Sequence, residues 1–201
     1  MRQKQANGIL KVYAGPMMSG KTTALIAELE EGLEEGRQML VVKPAIDNRY
    51  SHEDIVSHDG TSLQKTTGHK VHRLGVGDFI AREELANIDL LLIDEAQFFD
   101  KLCTDNVRRY LQLGIDVVAV GLDMDSEGRP FGSMPYLLSI ANSVYKLAGI
   151  CVLCGDEATQ TFRKINVSSS AQVLIGGAET YEPRCLEHWT QGQREKSMFL
   201  S

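Results

Sequence analysis

Several protein classes are excluded by what this chain lacks. It has only four cysteines in 201 residues, three of them beyond position 150, which is not the pattern of a disulfide-stapled scaffold. No stretch approaches the ~20 consecutive apolar residues that a membrane-crossing helix needs. Dense Lys/Arg runs are missing too: the formal net charge is −6 and the pI about 5.4. A protein that neutralises polynucleotide phosphates presents a basic face, so neither nucleic acid nor a membrane is an expected partner. The acidic balance does not exclude a small anion, because main-chain N–H groups and one lysine can hold a phosphate. There is no internal repeat and no low-complexity segment. Met1–Asn7 carry no apolar core of the signal-peptide kind, so the expected location is cytoplasmic.

What remains is the composition of a globular protein, 43% hydrophobic and 24% charged, with length for one sizeable core and a small appendage. Ile9–Tyr13 predicts a short strand running into Gly15. From Lys21 the pattern is helical, with Leu25, Ile26, Leu29 and Leu33 on one face and Glu28, Glu30, Glu31, Glu34 and Glu35 on a solvated one, and Gly36 stops it. Gln38–Lys43 predicts a second strand closed by Pro44. Pro44–Ser62 is polar and reads as a long loop. A helix is expected around Asp78–Ala86, and Ile88–Ile93 has the continuous apolar character of a strand buried on both faces. Lys101–Leu113 should be helical, Asp116–Val120 another buried strand, and 122–134 a loop rich in Gly, Asp and Pro. A short helix near Tyr136–Ala141 then leads to a strand at Ser143–Leu147. This alternation predicts an α/β layered fold with ligands at the carboxyl ends of its strands. From Cys151 the elements shorten, and a small second unit is expected there.

Gly15-Pro16-Met17-Met18-Ser19-Gly20-Lys21-Thr22 satisfies G-x-x-x-x-G-K-[ST] at every fixed position, with a strand before it and an amphipathic helix after it. Its glycines let the backbone curl so that N–H groups face the phosphates. Lys21 offsets charge on the β- and γ-phosphates, and the Thr22 hydroxyl can ligate Mg²⁺. The expected ligand is therefore ATP with Mg²⁺. Leu90-Leu-Leu-Ile-Asp94-Glu95 places two carboxylates at the end of a buried strand. Asp94 can hold Mg²⁺ directly or through water, and Glu95 can take a proton from an attacking oxygen. Glu95 alone does not distinguish an alcohol acceptor from water, so a kinase and an ATPase both stand at this point.

Cys151-x-x-Cys154 and Cys185-x-x-His188, separated by 30 residues, supply three thiolates and one imidazole. That is a full tetrahedral Zn²⁺ set with no position left open, hence a structural site tying down the base of a long loop. Cys103 stands apart in a helix as an ordinary thiol. Within the loop, Gly176-Gly177 permits close backbone approach to a flat ligand. Tyr181 either stacks on or hydrogen-bonds to such a ligand or packs at a hairpin end, and of Met17 and Met18 either at least one lines an acceptor pocket or they belong to the core.

GPMMSGKT, KPAIDNRYS, DEAQFF, GLD followed by PFG, CxxC, IGGAETYE and CxxH run in this order from Gly15 to His188. Together they closely resemble the thymidine kinases of the cytosolic tetrameric type. The resemblance implies a P-loop (RecA-like) parallel sheet flanked by helices, with a small C-terminal zinc-binding lasso domain. The corresponding division is 1–148 for the α/β domain, 149–192 for the lasso domain and 193–201 for a tail. It implies Glu95 as general base for the thymidine 5′-hydroxyl, and Asp47, Asn48 and Arg49 near the phosphates, with Ala96 and Gln97 extending the Asp94–Glu95 segment on the nucleotide side. Met17, Phe98, Leu122 and Phe131 match pocket positions. Main-chain groups of Val173, Leu174, Ile175 and Gly176 would read the thymine edge, with Tyr181 beside the nucleoside. Feedback inhibition by dTTP and a homotetramer are further implications. The chain departs from the family where an aromatic residue usually stands between GLD and PFG: it carries Ser126-Glu127.

Overall fold

Residues 7–46, 71–75, 78, 80–100, 102–164 and 176–199 are described by the structure, a computed structural model. Six short strands form one parallel sheet: β1 (Leu10–Ala14), β2 (Met39–Pro44), β3 (Val71–Leu74), β4 (Leu90–Ile93), β5 (Asp116–Gly121) and β6 (Ser143–Lys146). Their spatial order is β3-β2-β4-β5-β1-β6, and every adjacent pair is parallel. Parallel neighbours need crossovers, so helices cover both faces. These are α1 (Lys21–Glu34), α2 (Arg82–Leu85), α3 (Leu102–Gln112) and α4 (Met134–Ile140).

The strand period of two divides the core. Leu10, Val12, Ala14, Leu91, Ile93, Val117 and Ala119 point to the side of Val107, Tyr110, Met134 and Leu137, on α3 and α4. Met39, Val41, Leu90, Leu92, Val118 and Val120 point to the other side, against Leu25, Ile26 and Leu29 of α1. The apolar runs at 88–93 and 116–120 thus behave as strands buried on both faces.

The α1 face differs from expectation at two residues. Leu33 is exposed, and Gly32 takes the buried position beside the Met39 thioether. Glu28 is buried, because its carboxylate accepts from Lys11 Nζ, at 2.9 Å to each oxygen, and from the Tyr13 hydroxyl at 2.5 Å. The charge is tolerated there because it is paired and hydrogen-bonded. Three other differences are local. The polar strand β3 carries no apolar run to announce it, the helix expected at Asp78–Ala86 is the single turn α2, and Pro44 closes β2 from inside the strand.

Past Leu147 the chain builds a smaller unit. Strand β7 (Gly149–Ile150) pairs antiparallel with β8 (Glu157–Ala158), and β9 (Gln160–Arg163) with β10 (Tyr181–Arg184). Helix α5 (Leu186–Phe199) follows and runs unbroken past residue 192. It packs over Phe162, a residue 1% exposed. The Arg184 guanidinium lies 3.6 Å from the ring centroid and the Lys196 ammonium 4.0 Å from it, a cation–π arrangement.

Candidate active site

In a parallel sheet every strand delivers its following loop to the same edge. Ala14 of β1 pairs with Gly121 of β5, and Ile93 of β4 with Ala119. The phosphate loop after β1, the carboxylates after β4 and the loop after β5 therefore leave the sheet side by side.

Gly20 is the N-cap of α1 with φ 80°, a left-handed conformation glycine adopts without strain. It turns the chain so that the helix N-terminus, where an anion is favoured, opens toward the loop. Ser19 Oγ donates to the Pro16 carbonyl at 2.8 Å, and Lys21 Nζ donates to the same carbonyl and to Ser19 Oγ. The Met17 N–H donates to Thr161 Oγ1 at 3.0 Å, tying the loop to β9 of the smaller unit. Thr22, on the first turn of α1, is half-buried.

Asp94 is buried at the end of β4, its N–H bound to the Val42 carbonyl at 2.9 Å. Glu95 follows with φ 48° and caps a 3-10 turn, Ala96–Phe98. Among the described residues only Met18 (φ 59°) and Glu95 are non-glycine residues at positive φ. Such positions cost energy and gather at functional sites; here one is in the phosphate loop and the other is the expected base. Gln97, 2% exposed, donates from Nε2 to the Glu95 carboxylate and accepts from the Leu122 N–H at 3.0 Å. Gly132, at φ 51°, approaches so closely that a Cβ there would lie 1.8 Å from the Gln97 carbonyl oxygen.

An aromatic pair adjoins this turn: Phe98 and Phe131 meet edge to face, with centroids 5.7 Å apart at 84°. The loop carrying Phe131 is braced by Asp125, whose carboxylate accepts from the N–H groups of Glu127 and Arg129 and from Arg129 Nε, each at 2.9 Å. Ser126, at the usually aromatic position, is buried. Its carbonyl accepts from Trp189 Nε1 at 3.2 Å and Gln193 Nε2 at 2.6 Å, both on α5. The Trp189 ring also covers Gly128, so an indole from the C-terminal helix backs the segment that departs from the family.

The four expected metal ligands converge. Their donor atoms all lie within 4.8 Å of one another. Cys185 Sγ is 3.2 Å and Cys151 Sγ 3.6 Å from His188 Nδ1, and Cys154 Sγ is 3.9 Å from Cys185 Sγ. A tetrahedron with Zn–S of about 2.3 Å and Zn–N of about 2.0 Å has edges of roughly 3.5–3.8 Å. The donor set fits zinc in kind, number and spacing. Burial raises the Cys151 thiol, but hydrogen bonds from the main chain of Cys185, Leu153 and Cys154 outweigh it and bring it down to about 6. Cys103, by contrast, is pushed up to about 12, chiefly by burial, as befits an inert thiol.

The β9–β10 ladder pairs Arg163 with Tyr181, so it closes the base of the segment between them. Tyr181 is 8% exposed, and its N–H bonds the Gly177 carbonyl at 2.9 Å. Gly176 begins the described turn. Asp47, Asn48 and Arg49, and likewise Val173, Leu174 and Ile175, lie outside the described residues. The sequence reading missed the Gln97 bridge and the α5 contacts; a glutamine two residues after a strand-end carboxylate was the available signal for the first.

Strand order narrows the class. With β5 inserted between the strand that feeds the phosphate loop and the strand that ends in the carboxylates, this is an α/β protein of the P-loop type. A family model described as thymidine kinase matches residues 8–189. A curated relative, the thymidine kinase of Bacteroides thetaiotaomicron, is 39% identical over 195 residues, 97% of this chain and 94% of the relative. The chain belongs to the thymidine kinase family. Two solved structures of Pif1 helicases, one described at forked double-stranded DNA and one as Bacteroides Pif1 bound to single-stranded DNA, align with TM-scores of 0.35 and 0.33 at 20% and 19% identity. They match 72% and 68% of this chain, which spans 40% and 32% of theirs.

Proposed function

We infer that the chain transfers the γ-phosphoryl group of ATP to the 5′-hydroxyl of thymidine, giving ADP and dTMP for nucleotide salvage. The observation that carries this reading is the stretch Asp94–Phe98: a buried carboxylate, a carboxylate on a left-handed turn and an aromatic wall follow one another at the sheet edge where the phosphate loop begins. Gly15–Thr22 cradle the triphosphate, Lys21 leaving its own loop to meet it, while Asp47, Asn48, Arg49, Ala96 and Gln97 complete the nucleotide side. Thr22 and Asp94 would hold Mg²⁺, which supplies positive charge against the transferring phosphoryl. Glu95 accepts the 5′-hydroxyl proton as that oxygen bonds to phosphorus, and the bridging P–O electron pair leaves with ADP. Positioning and electrostatics carry the rest of the rate.

Met17, Phe98, Leu122, Phe131 and Tyr181 line the nucleoside pocket, and the main chain of Val173–Gly176 reads the thymine edge. Backbone donors and acceptors can discriminate between pyrimidines, because cytosine reverses the pattern at N3 and the 4-substituent, and each buried group left unpaired costs about 1–3 kcal/mol. In this reading residues 1–148 are the ATP-binding domain, 149–192 the zinc-anchored lasso domain and 193–201 the tail. Lasso closure excludes water and suppresses ATP hydrolysis. Assembly as a cytoplasmic homotetramer and inhibition by dTTP belong to the same reading; the exposed Val144 and Tyr145 on edge strand β6 support self-association.

The test is ADP production with and without thymidine, for wild type and Glu95→Gln. Thymidine-dependent turnover that Glu95→Gln lowers by roughly 100-fold or more is expected. Turnover indifferent to thymidine would overturn the kinase assignment.

A further inference from the structure

Gln97 is a fully buried amide with both ends committed. Its Oε1 accepts from the Leu122 N–H, and since a carbonyl oxygen alone can accept there, the flip of the amide is fixed. Nε2 is therefore the atom that faces the Glu95 carboxylate. The backbone around it is held from a second direction. Ser133 Oγ donates to the Ala96 carbonyl at 2.7 Å, and Gly132 presses against the Gln97 carbonyl. Glu95, meanwhile, occupies a left-handed conformation that a glutamate does not favour.

We propose that Gln97 is a positioning residue for phosphoryl transfer: its amide orients the Glu95 carboxylate and links it to the loop that begins at Leu122. The link has a functional consequence, because Leu122 and Phe131 lie on that loop. Movement of the nucleoside-side loop is transmitted through one rigid amide to the base, so base and acceptor hydroxyl are set in register together. A misplacement of the order of 1 Å at such a group can cost about 100-fold in rate. This inference rests on the reading of Glu95 as general base.

Gln97→Glu is the sharpest variant. It keeps the side-chain length and an acceptor for the Leu122 N–H, but opposes an acceptor to the Glu95 carboxylate where a donor stood. The expected result is a fall in kcat of about 10- to 100-fold, with KM for thymidine changed by no more than about twofold. Gln97→Met, of similar length and without polar atoms, should lower kcat in the same way and serves if Gln97→Glu does not fold. The decisive comparison is on the Glu95→Gln background, where a residue that acts through Glu95 has nothing left to orient. The double variant should then be no slower than Glu95→Gln alone. Multiplying losses in the double variant, or full kcat in both Gln97 variants while Glu95→Gln is inactive, would overturn the positioning role alone. Undiminished thymidine-dependent turnover in Glu95→Gln would instead remove the base assignment, and this inference with it.

Discussion

Consider the removal of one metal ligand by Cys185→Ser. Cys185 sits at the start of α5, with its Sγ 3.2 Å from His188 Nδ1 and 3.9 Å from Cys154 Sγ. The bound metal would fasten this corner to the Cys151–Cys154 turn across the 30 intervening residues. Closing a chain of that length costs about 3–4 kcal/mol of entropy by the loop-closure relation. The β9–β10 ladder already covers part of that closure, so the loss on breaking the metal site should fall nearer 2–3 kcal/mol than the full figure. At roughly 2–4 °C per kcal/mol for a chain of this size, the expected drop in Tm is about 4–12 °C.

The measurement combines metal content by plasma mass spectrometry with thermal melts in the presence and absence of a chelator. Wild type should carry one zinc per chain and lose stability with the chelator. Cys185→Ser should carry none, melt early and ignore the chelator, while Cys103→Ala should retain its zinc. Thymidine affinity should fall in Cys185→Ser, because the ladder that closes the lasso ends one residue before the lost ligand. Metal-free wild type whose melting no chelator changes would refute the reasoning from donor geometry.

Two further substitutions probe buried contacts the sequence did not announce. Glu28→Ala strips partners from the half-buried Lys11 ammonium and the Tyr13 hydroxyl; partial solvent access to Lys11 reduces the cost from that of a fully buried pair to about 2 kcal/mol, read as a Cm shift at constant m in urea. Burial pulls the Lys11 pKa down, but its hydrogen bond and charge pairing with Glu28 lead the effects that raise it above its ordinary value of 10.5, so its share of stability is intact below 10.5 and fades only above it; the loss in Glu28→Ala should be constant from pH 6 to 9. Trp189→Phe removes the donor to Ser126 and part of the cover on Gly128, while Gln193 still serves the carbonyl. About 1 kcal/mol of stability should go, and steady-state kinetics should show KM for thymidine rising with KM for ATP unchanged.

Local chemistry is what made parts of this molecule legible. GPMMSGKT can be read because a phosphate cradle needs glycine at fixed places, and the Cys/His spacings can be read because a metal needs four donors. Strands 90–93 and 116–121 are visible because burial on both faces demands continuous apolar residues. Contacts between distant segments leave no such trace. Gln97 meets Leu122 across 25 residues, and Trp189 meets Ser126 across 63. Glu28 looked like one more member of an acidic face, since its partners lie on β1, which precedes the helix. Helix α5 escaped notice because its sequence is polar nearly all round, with few apolar residues to mark a buried face.

Long-range contacts also reach the two strained residues of the site. Met18 and Glu95 each hold a left-handed backbone that costs a non-glycine residue about 1–2 kcal/mol. The phosphate loop is gripped from the smaller unit, by Thr161 Oγ1 on the Met17 N–H and by Gly149, where a Cβ would come within 3.2 Å of the Met18 carbonyl. Glu95 is gripped by Gln97, which is anchored on the loop that α5 braces. Both grips come from elements that adjoin the Cys/His cluster: Cys151 and Cys154 lie between β7 and β8, and Cys185 joins β10 to α5. A metal held by the cluster would fasten the elements that carry both grips. Loss of zinc should consequently disturb the rate of transfer as well as the capture of the nucleoside.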